Sequence, residues 1–392
     1  MAPTRSGRLA PVLATPVLIV LLGASSALFA VCGPFTDVAA DGFCPFVLEI
    51  FYLGITTGTT PTTYDPSGNV NRTQMAAFLS RTVDQTLQRG ARRAALKHFW
   101  TPQNSGALGI TTVGSSPVLV ESDGADLWVA NGGGGGTVSR VRGSDGKLLE
   151  TWTGTGGAYG VLVAMGRIFV TGAMNPGQLY RIDPTQAPGA VSTVASNLGI
   201  VPLAIAFDGS RIWTTNAGPP GSVSIVTPGA AIPWTVTTVT TGFSSIRAAL
   251  YDGANVWVAD NGAGTLLKLD GSGTILQTVT VGIFPQLPVF DGASIWVPSF
   301  STASVSVVRA SSGTVLATLT GNGLNGPLAA AFDGQTVLIT NKAGDSVSLW
   351  KAADLTALGA FGTGVSTGPL GACSDGVNFW VTLQLVNKLA RF

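Results

Sequence analysis

Charged residues are scarce in this sequence, and so are cysteine and histidine. Only 10% of the 392 residues are charged and the formal net charge is +1, so the chain lacks the concentrated Lys and Arg that nucleic-acid binding requires. Three cysteines are too few for a disulfide scaffold. The single histidine is His98, and no His/Cys/Asp cluster has metal-ligand spacing. The sequence therefore predicts no nucleic-acid partner, no metal site and no cofactor.

Glycine and short β-forming runs are abundant instead. The 52 glycines, together with Thr, Ser and Val-rich segments, are typical of many short strands joined by tight turns. The length leaves room for more than one domain.

Residues 1–30 have the order of a secretory signal segment. Arg5 and Arg8 precede a long apolar run that ends in small residues near Ala27 and Ala30. The run also approaches the length that spans a bilayer, so an uncleaved membrane anchor is the alternative. Export places the chain in an oxidising compartment, where we expect a disulfide between Cys32 and Cys44. Cys373 is then left over, and we expect it to be a small buried side chain.

A small helical module is predicted at residues 32–84. The segment PFVLEIFYLG begins at Pro45 and stops at Gly54, which is typical of a short helix. A second helix is expected from about Arg72 to Gln88. Its apolar residues fall at helical spacing and predict one buried face; they are Met75, Phe78, Leu79 and Val83.

Four separated motifs in this module resemble the S-layer homology domain. They are FTDV at 35–38, LGITTGT at 53–59, YDPSGNVNR at 64–72 and QMAAFLSR at 74–81. The resemblance implies a bacterial protein that is held at the cell envelope by binding wall polysaccharide. It assigns that binding to the start of the second helix, at Asn71, Arg72 and Gln74.

This sequence departs from the family pattern in two ways. The family commonly has TRAE where this chain has NRTQ, so Gln74 replaces the usual Glu. Arg72 keeps the cation, whose planar fork suits a carboxylate on a sugar; an exposed helix-start residue without a ligand is the alternative. The family also tends to use three modules together, and this chain has one. A lone module would form a homotrimer, bind weakly or serve another purpose.

Residues 85–106 form the predicted connection. They contain a short basic run of Arg89, Arg92, Arg93 and Lys97. We interpret it as a solvated helical face, with contact to an envelope polyanion as the alternative.

An internal repeat covers the remainder of the chain. It is marked by an Asp-Gly pair, with Met165-Gly166 in the one double gap, and successive separations are 42, 43, 44, 39, 42 and 42 residues. A large side chain follows five residues after each Asp, and one residue closer after Met165. The Asp residues are Asp123, Asp208, Asp252, Asp291, Asp333 and Asp375, and the large side chains are Trp128, Phe169, Trp213, Trp257, Trp296, Leu338 and Trp380.

Each unit contains four short strands, which is the signature of a β-propeller blade. The Asp-Gly pair suits a type I′ hairpin, and the tryptophans should fill the space between neighbouring blades. The seventh repeat ends after its third strand, whereas an unmatched copy of the fourth strand, at 107–114, precedes the first repeat. We therefore predict an all-β seven-bladed propeller over residues 107–392, with its ring closed by that N-terminal strand.

The repeated DGxxIWVxNxxxxSVSVV strings resemble the propellers of the YVTN, NHL and streptogramin-lyase group. Streptogramin lyases use a histidine with acidic help and a magnesium ion. Here His98 precedes the first blade, so the propeller cannot supply that base and we predict no catalytic residue. A Glu or Lys as the base remains an alternative.

The first strand of each blade should line a central channel. Counting six residues back from each turn gives one mouth of the channel, formed by Pro117, Tyr159, Pro202, Ile246, Pro285, Pro327 and Pro369. Three residues at this mouth differ from the apolar residues of the ring by their polar groups, namely Tyr159, Arg247 and Gln286. With Phe243 and Phe284 in the preceding loops they form a candidate ligand site; loop packing around one solvated arginine is the alternative.

These features favour an exported cell-surface protein without catalytic activity. Its helical module would bind wall polysaccharide, and its propeller would present a surface for a protein or a glycan. Two alternatives remain open: an extracellular lyase or hydrolase built on the propeller, and a structural protein of a surface array.

Overall fold

The computed structural model describes residues 32–39, 43–52, 55–89, 109–189 and 191–392. The predicted signal segment and most of the predicted connection, including His98, lie outside these residues. The chain divides into two compact units, Met1–Phe99 and Trp100–Phe392. No helix in the described ranges is both long enough and apolar enough to cross a membrane.

The N-terminal unit contains the two predicted helices, α1 (Cys44–Tyr52) and α2 (Arg72–Arg89). Its core is built on Phe35, which is fully buried. The ring centroid of Phe35 lies 5.0 Å from that of Phe51 and 5.4 Å from that of Tyr64. These contacts join the FTDV motif to α1 and to the loop that precedes α2.

The predicted burial of one face of α2 is wrong for two of its residues. Met75 is 48% exposed and Leu79 is 60% exposed. Helical spacing places such side chains on one face, but burial also requires a second surface, which the pattern of a single helix does not specify.

The C-terminal unit consists of seven four-stranded antiparallel sheets, which are the predicted seven blades. Six blades use four consecutive strands each, from β2–β5 to β22–β25, and the seventh uses β26, β27, β28 and β1. The strands are β1 (Ile110–Thr112), β2 (Pro117–Ser122), β3 (Asp126–Asn131), β4 (Thr137–Arg142), β5 (Leu148–Thr153), β6 (Ala158–Ala164), β7 (Arg167–Gly172), β8 (Gly177–Ile182), β9 (Ser192–Leu198), β10 (Pro202–Phe207), β11 (Ile212–Asn216), β12 (Ser222–Thr227), β13 (Thr235–Val239), β14 (Ile246–Tyr251), β15 (Val256–Asp260), β16 (Thr265–Leu269), β17 (Ile275–Thr280), β18 (Val289–Phe290), β19 (Ser294–Ser299), β20 (Ser304–Arg309), β21 (Thr314–Leu319), β22 (Pro327–Phe332), β23 (Thr336–Asn341), β24 (Ser346–Lys351), β25 (Ala357–Gly362), β26 (Pro369–Ser374), β27 (Phe379–Leu383) and β28 (Lys388–Arg391). A short 3₁₀ helix, Gln384–Val386, connects β27 to β28.

The outer strand of the seventh blade comes from the start of the unit. β1 runs antiparallel to β28, with Ile110 opposite Ala390 and Thr112 opposite Lys388. The seventh and first blades are also joined near the channel, where the hydroxyl of Thr382 on β27 donates to the Val118 carbonyl on β2 at 2.7 Å.

The Asp-Gly turns are held by the aspartate carboxylate. In the fourth blade Asp252 Oδ1 accepts the backbone N–H groups of Ala254 and Asn255 at 2.8 and 2.7 Å. Its Oδ2 accepts the indole N–H of Trp257 at 2.7 Å. The same indole bond, at 2.6–2.8 Å, recurs in the four other blades that pair this aspartate with a tryptophan. The repeated Asp and Trp are thus bonded to each other.

The prediction of type I′ turns at the Asp-Gly pairs is wrong. A type I′ turn needs positive φ at both central residues, yet in these pairs only the glycine has it, at +92° to +99°. The carboxylate bonds the following N–H groups as an Asx-turn does, so the aspartate itself keeps an ordinary φ. Positive φ at both positions occurs in the second blade, where Met165 has +52° and Gly166 has +67°.

The large side chains five residues after each Asp fill the space between blades, as predicted. Trp257 of the fourth blade is fully buried against Ile295 and Val297 of the fifth. Trp380 of the seventh blade packs in the same way against Val120 of the first. Similar clusters lie between the other consecutive blades.

The Asn and Ser positions of the repeat also serve the fold. Asn216 is fully buried at the end of β11, and its amide donates to the hydroxyls of Ser222 and Ser224 on β12 at 3.1 and 3.0 Å. The Asn341 amide makes the corresponding bonds in the sixth blade. The repeated Asn and Ser residues of the WVxN…SVS pattern therefore form hydrogen bonds within a blade.

The fifth blade departs from the others at the channel. Four blades have a threonine on the second strand that bonds the inner strand, as Thr340 does with Ala329; the first and fourth have alanine at that position, and the fifth has Pro298. Leu287 instead bonds the sixth blade directly: its N–H donates to the Leu328 carbonyl at 2.9 Å, and its carbonyl accepts from Ala330 N–H at 3.0 Å. This path brings Leu287 against apolar side chains of several blades.

Candidate functional sites

The start of α2 is organised by a capping box. The backbone N–H of Gln74 donates to Asn71 Oδ1 at 2.9 Å, and the backbone N–H of Asn71 donates to Gln74 Oε1 at 2.9 Å. The side chains of Asn71 and Gln74 are therefore engaged with the helix end. Arg72, between them, is exposed and presents its guanidinium to solvent.

Two further links fix the loops around this helix start. Asp37 accepts the backbone N–H groups of Tyr64 and Asp65 at 2.7–3.0 Å, and these bonds lower the pKa of its carboxyl. Cys32 and Cys44 form a disulfide, which ties the segment before FTDV to the first residue of α1. The aspartate of FTDV thus positions the loop that leads into α2.

In the propeller, the three predicted polar mouth residues occupy the same position of their blades. Ala158, not Tyr159, has the strand partner that matches Pro117 in the first blade. The count from the turn was one residue off because the second blade has a shorter turn. Tyr159 therefore corresponds to Arg247 and Gln286. Tyr159 and Arg247 are the second residues of β6 and β14, and Gln286 follows Pro285, which forms an isolated bridge with Ser299 ahead of β18.

The structure brings Arg247 and Tyr159 together across the mouth. The guanidinium carbon of Arg247 lies 6.0 Å from the centroid of the Tyr159 ring, within the range of a cation–π contact. Gln286 is 7% exposed, donates to the Phe284 carbonyl at 3.2 Å, and has no hydrogen-bond partner for Oε1.

The two predicted phenylalanines have different surroundings. Phe284 is 45% exposed and stands in the loop before Gln286. Phe243 is 7% exposed and packs with Trp213 and Ile246 in the cluster between the third and fourth blades. Phe243 is therefore a core residue, and the prediction that it contributes to the mouth surface is not retained.

Two mouth residues escaped the sequence analysis. Lys342 and Gln384 each follow the second strand of their blade, and the Lys342 ammonium donates to Gln384 Oε1 at 2.9 Å. Gln384 Nε2 donates in turn to the Ser116 hydroxyl at 3.2 Å. Burial and the positive charge of Arg247 lower the pKa of Lys342.

A sequence signal for Lys342 and Gln384 was present. Other blades have a small residue, such as Gly132 or Ala217, directly after the second strand, and these two blades have a long polar residue there. We call Tyr159, Arg247, Gln286, Lys342 and Gln384 the mouth residues.

Below the mouth, the channel contains a cavity of about 280 Å³. All seven inner strands contribute to its wall, mostly through Ala, Val and Leu. Its one carboxyl group is that of Glu121, which is accessible to solvent within the channel. The protein packed around it desolvates this carboxyl and raises its pKa to about 7. The buried thiol of Cys373 lies in the same wall, where burial and then the charge of Glu121 raise its pKa.

The donor set of the channel does not fit a magnesium ion. Mg²⁺ is held by carboxylates and other oxygen ligands, whereas the mouth presents Arg247 and Lys342 and the cavity one carboxyl. No group of three or more His, Cys, Asp or Glu side chains in the described ranges could hold a metal ion.

The sequence of the module matches one known family. The family is the S-layer homology domain, and the match covers residues 34–76. The match includes Asp37, Arg72 and Gln74, and it stops within α2. An S-layer homology domain suggests attachment at the bacterial cell envelope, so this module indicates a cell-surface protein.

The propeller is similar to solved structures. Virginiamycin B lyase from Staphylococcus aureus has a TM-score of 0.62 and 14% identity, and the similarity covers 72% of this chain and 97% of the lyase. Hydrazine synthase from Kuenenia stuttgartiensis has a TM-score of 0.60 and 15% identity, with 71% and 95% covered. At such identities the likeness shows the fold alone. No curated protein matches the chain.

Proposed function

We propose that this protein is an exported, non-catalytic protein of the bacterial cell envelope. Its S-layer homology module binds wall polysaccharide, and its propeller binds a ligand at the mouth residues. The observation that carries the proposal is the family match at residues 34–76, with Arg72 exposed at the start of α2.

The geometry of the module supports a ligand role for Arg72. The capping box satisfies the backbone at the helix start through Asn71 and Gln74, so the arginine is not needed for that purpose. Its planar guanidinium can donate two parallel hydrogen bonds to a carboxylate of an acidic or pyruvylated sugar. In this role Asn71 and Gln74 position Arg72 and border the same surface.

Self-association of the module would give it several binding sites. Five large apolar side chains of the module are 48–74% exposed, and exposed apolar groups of this kind are typical of an interaction surface; they are Phe43, Phe46, Val70, Met75 and Leu79. We include a homotrimer formed through this surface in the proposal, since three linked sites bind a polymer more tightly than one.

A lyase activity has less support than binding. One solved relative is a catalytically inactive histidine-to-alanine variant of virginiamycin B lyase, bound to quinupristin. Residues 107–392 contain no histidine, so this propeller lacks the residue type whose loss inactivates that enzyme. The absence of a histidine from this part of the sequence therefore favours ligand binding over a lyase reaction.

The test is retention of the full chain on purified cell-wall polysaccharide. We expect Arg72→Ala to weaken retention by about tenfold or more, the effect of losing a charge-assisted hydrogen-bond pair, and Arg72→Lys to restore part of it. Arg142→Ala is the matched control, because Arg142 is also an exposed arginine and is paired with Asp145 on the propeller. Equal retention of the wild type and Arg72→Ala would remove the role of Arg72, and no retention of either would remove envelope binding by the module.

A further inference from the structure

We propose that the propeller mouth binds an anionic group, a carboxylate or a phosphate, between Arg247 and Lys342. The inference rests on the ligand-binding role proposed above for the mouth and specifies the chemical class of that ligand.

The first observation is that the mouth contains two cations, and neither is paired with an acid among the described residues. Arg247 comes from the inner strand of the fourth blade, and Lys342 follows the second strand of the sixth. Both side chains belong to the mouth, and the pKa of Lys342 is lowered by burial and then by the positive charge of Arg247. Neither forms an ion pair with an Asp or Glu in the described part of the propeller. Like charges brought together in a partly buried place repel, and a bound anion would relieve that repulsion.

The second observation is that both cations are held in place but keep free donors. Lys342 uses one of its three N–H donors on Gln384, which is itself bonded to Ser116. Arg247 lies over the ring of Tyr159, and within the described residues its guanidinium donates no hydrogen bond to the protein. A preorganised arginine fork beside an ammonium group matches the oxygens of a carboxylate or phosphate.

The third observation is an unsatisfied acceptor in the blade between the two cations. Gln286 belongs to the fifth blade, is 93% buried, and has an Oε1 atom without a partner. A buried acceptor that lacks a donor is costly, and a ligand hydroxyl would satisfy it. An anion that also carries hydroxyl groups, such as a sugar acid or a sugar phosphate, therefore fits blades four to six.

The test is calorimetric titration of the full chain with sodium glucuronate, inorganic phosphate and glucose at constant ionic strength. We expect saturable binding of glucuronate, weaker binding of phosphate and no binding of glucose. Lys342→Gln and Arg247→Gln should each weaken glucuronate binding by about tenfold or more. Phosphate binding as tight as that of glucuronate would still support the anion site and remove the role of the hydroxyl groups.

The control is Lys351→Gln, which removes an exposed lysine paired with Asp354 in the sixth blade and should leave binding unchanged. Lys342→Arg keeps the charge and should retain most of the affinity, which separates loss of charge from loss of folding. Glucose binding equal to that of glucuronate would overturn the anionic class while leaving a glycan-binding mouth. Absence of binding to all three, or equal glucuronate affinity in Lys342→Gln and the wild type, would overturn the inference; envelope retention through Arg72 is measured independently.

Discussion

The two ends of the propeller's inner hairpins differ in how far their residues repeat from blade to blade. At the turn end, five blades repeat one arrangement, in which an aspartate carboxylate accepts an indole N–H at 2.6–2.8 Å. At the mouth, equivalent positions hold Tyr159, Arg247 and Gln286 in three blades and apolar residues in others such as Val118 and Leu328. Repetition marks residues that every blade needs to pack. Departure from repetition marks residues that packing leaves free for a ligand.

Removing one repeated tryptophan should produce the largest effect. Trp257 is fully buried between the fourth and fifth blades, so Trp257→Ala leaves a large cavity. We expect the free energy of unfolding to fall by about 3–5 kcal/mol, measured by denaturant unfolding. The mouth variant Arg247→Gln is the comparison and should change stability far less. A loss below that of Arg247→Gln would contradict the assignment of stability to the repeated residues.

Removing the carboxylate that holds the indole should have an intermediate effect. Asp252→Ala deletes the acceptor of three N–H groups and is expected to cost about 1.5–3 kcal/mol. Trp257→Phe keeps an aromatic ring but removes the indole donor. In a double-mutant cycle the two changes should be less than additive, because they break the same bond. Strict additivity would show that the Asp–Trp bond contributes nothing of its own.

The smallest effect is expected between the two ends, at Glu121 in the channel cavity, because this side chain is exposed to solvent and water screens its charge. Its pKa is raised from 4.5 to about 7, so the folded state binds this proton more tightly than the unfolded state. The stabilisation is therefore fully present below pH 4.5 and is lost as the pH rises through about 7. We expect Glu121→Gln to remove this part of the pH dependence and to be more stable than the wild type at pH 8, measured by denaturant unfolding at several pH values. Glu150→Gln, outside the cavity, should keep the wild-type slope; an unchanged slope in Glu121→Gln would contradict the raised pKa.

Several features of the fold were predictable because they depend on short-range patterns. The repeat period gave the number of blades, and β1 was recognisable as a copy of a missing outer strand. The turn type was missed, since a sequence pair such as Asp-Gly does not reveal whether the aspartate side chain or the backbone φ holds the turn.

The site was less predictable, as Phe243 and Lys342 show. Phe243 looked like a mouth residue by its place in a loop, yet it is buried against Trp213. Lys342 was not predicted because it follows the second strand of its blade, whereas the predicted mouth comprised residues at the start of the first strands.

By itself, the sequence determined which residues build a blade, because the Asp, Trp, Asn and Ser of the repeat contact partners within the same hairpin or the neighbouring blade. Only the tertiary structure decided that Arg247 lies over Tyr159 and that Lys342 bonds Gln384. These residues come from separate blades, and it is the arrangement of the blades around one axis that brings their side chains to a common mouth.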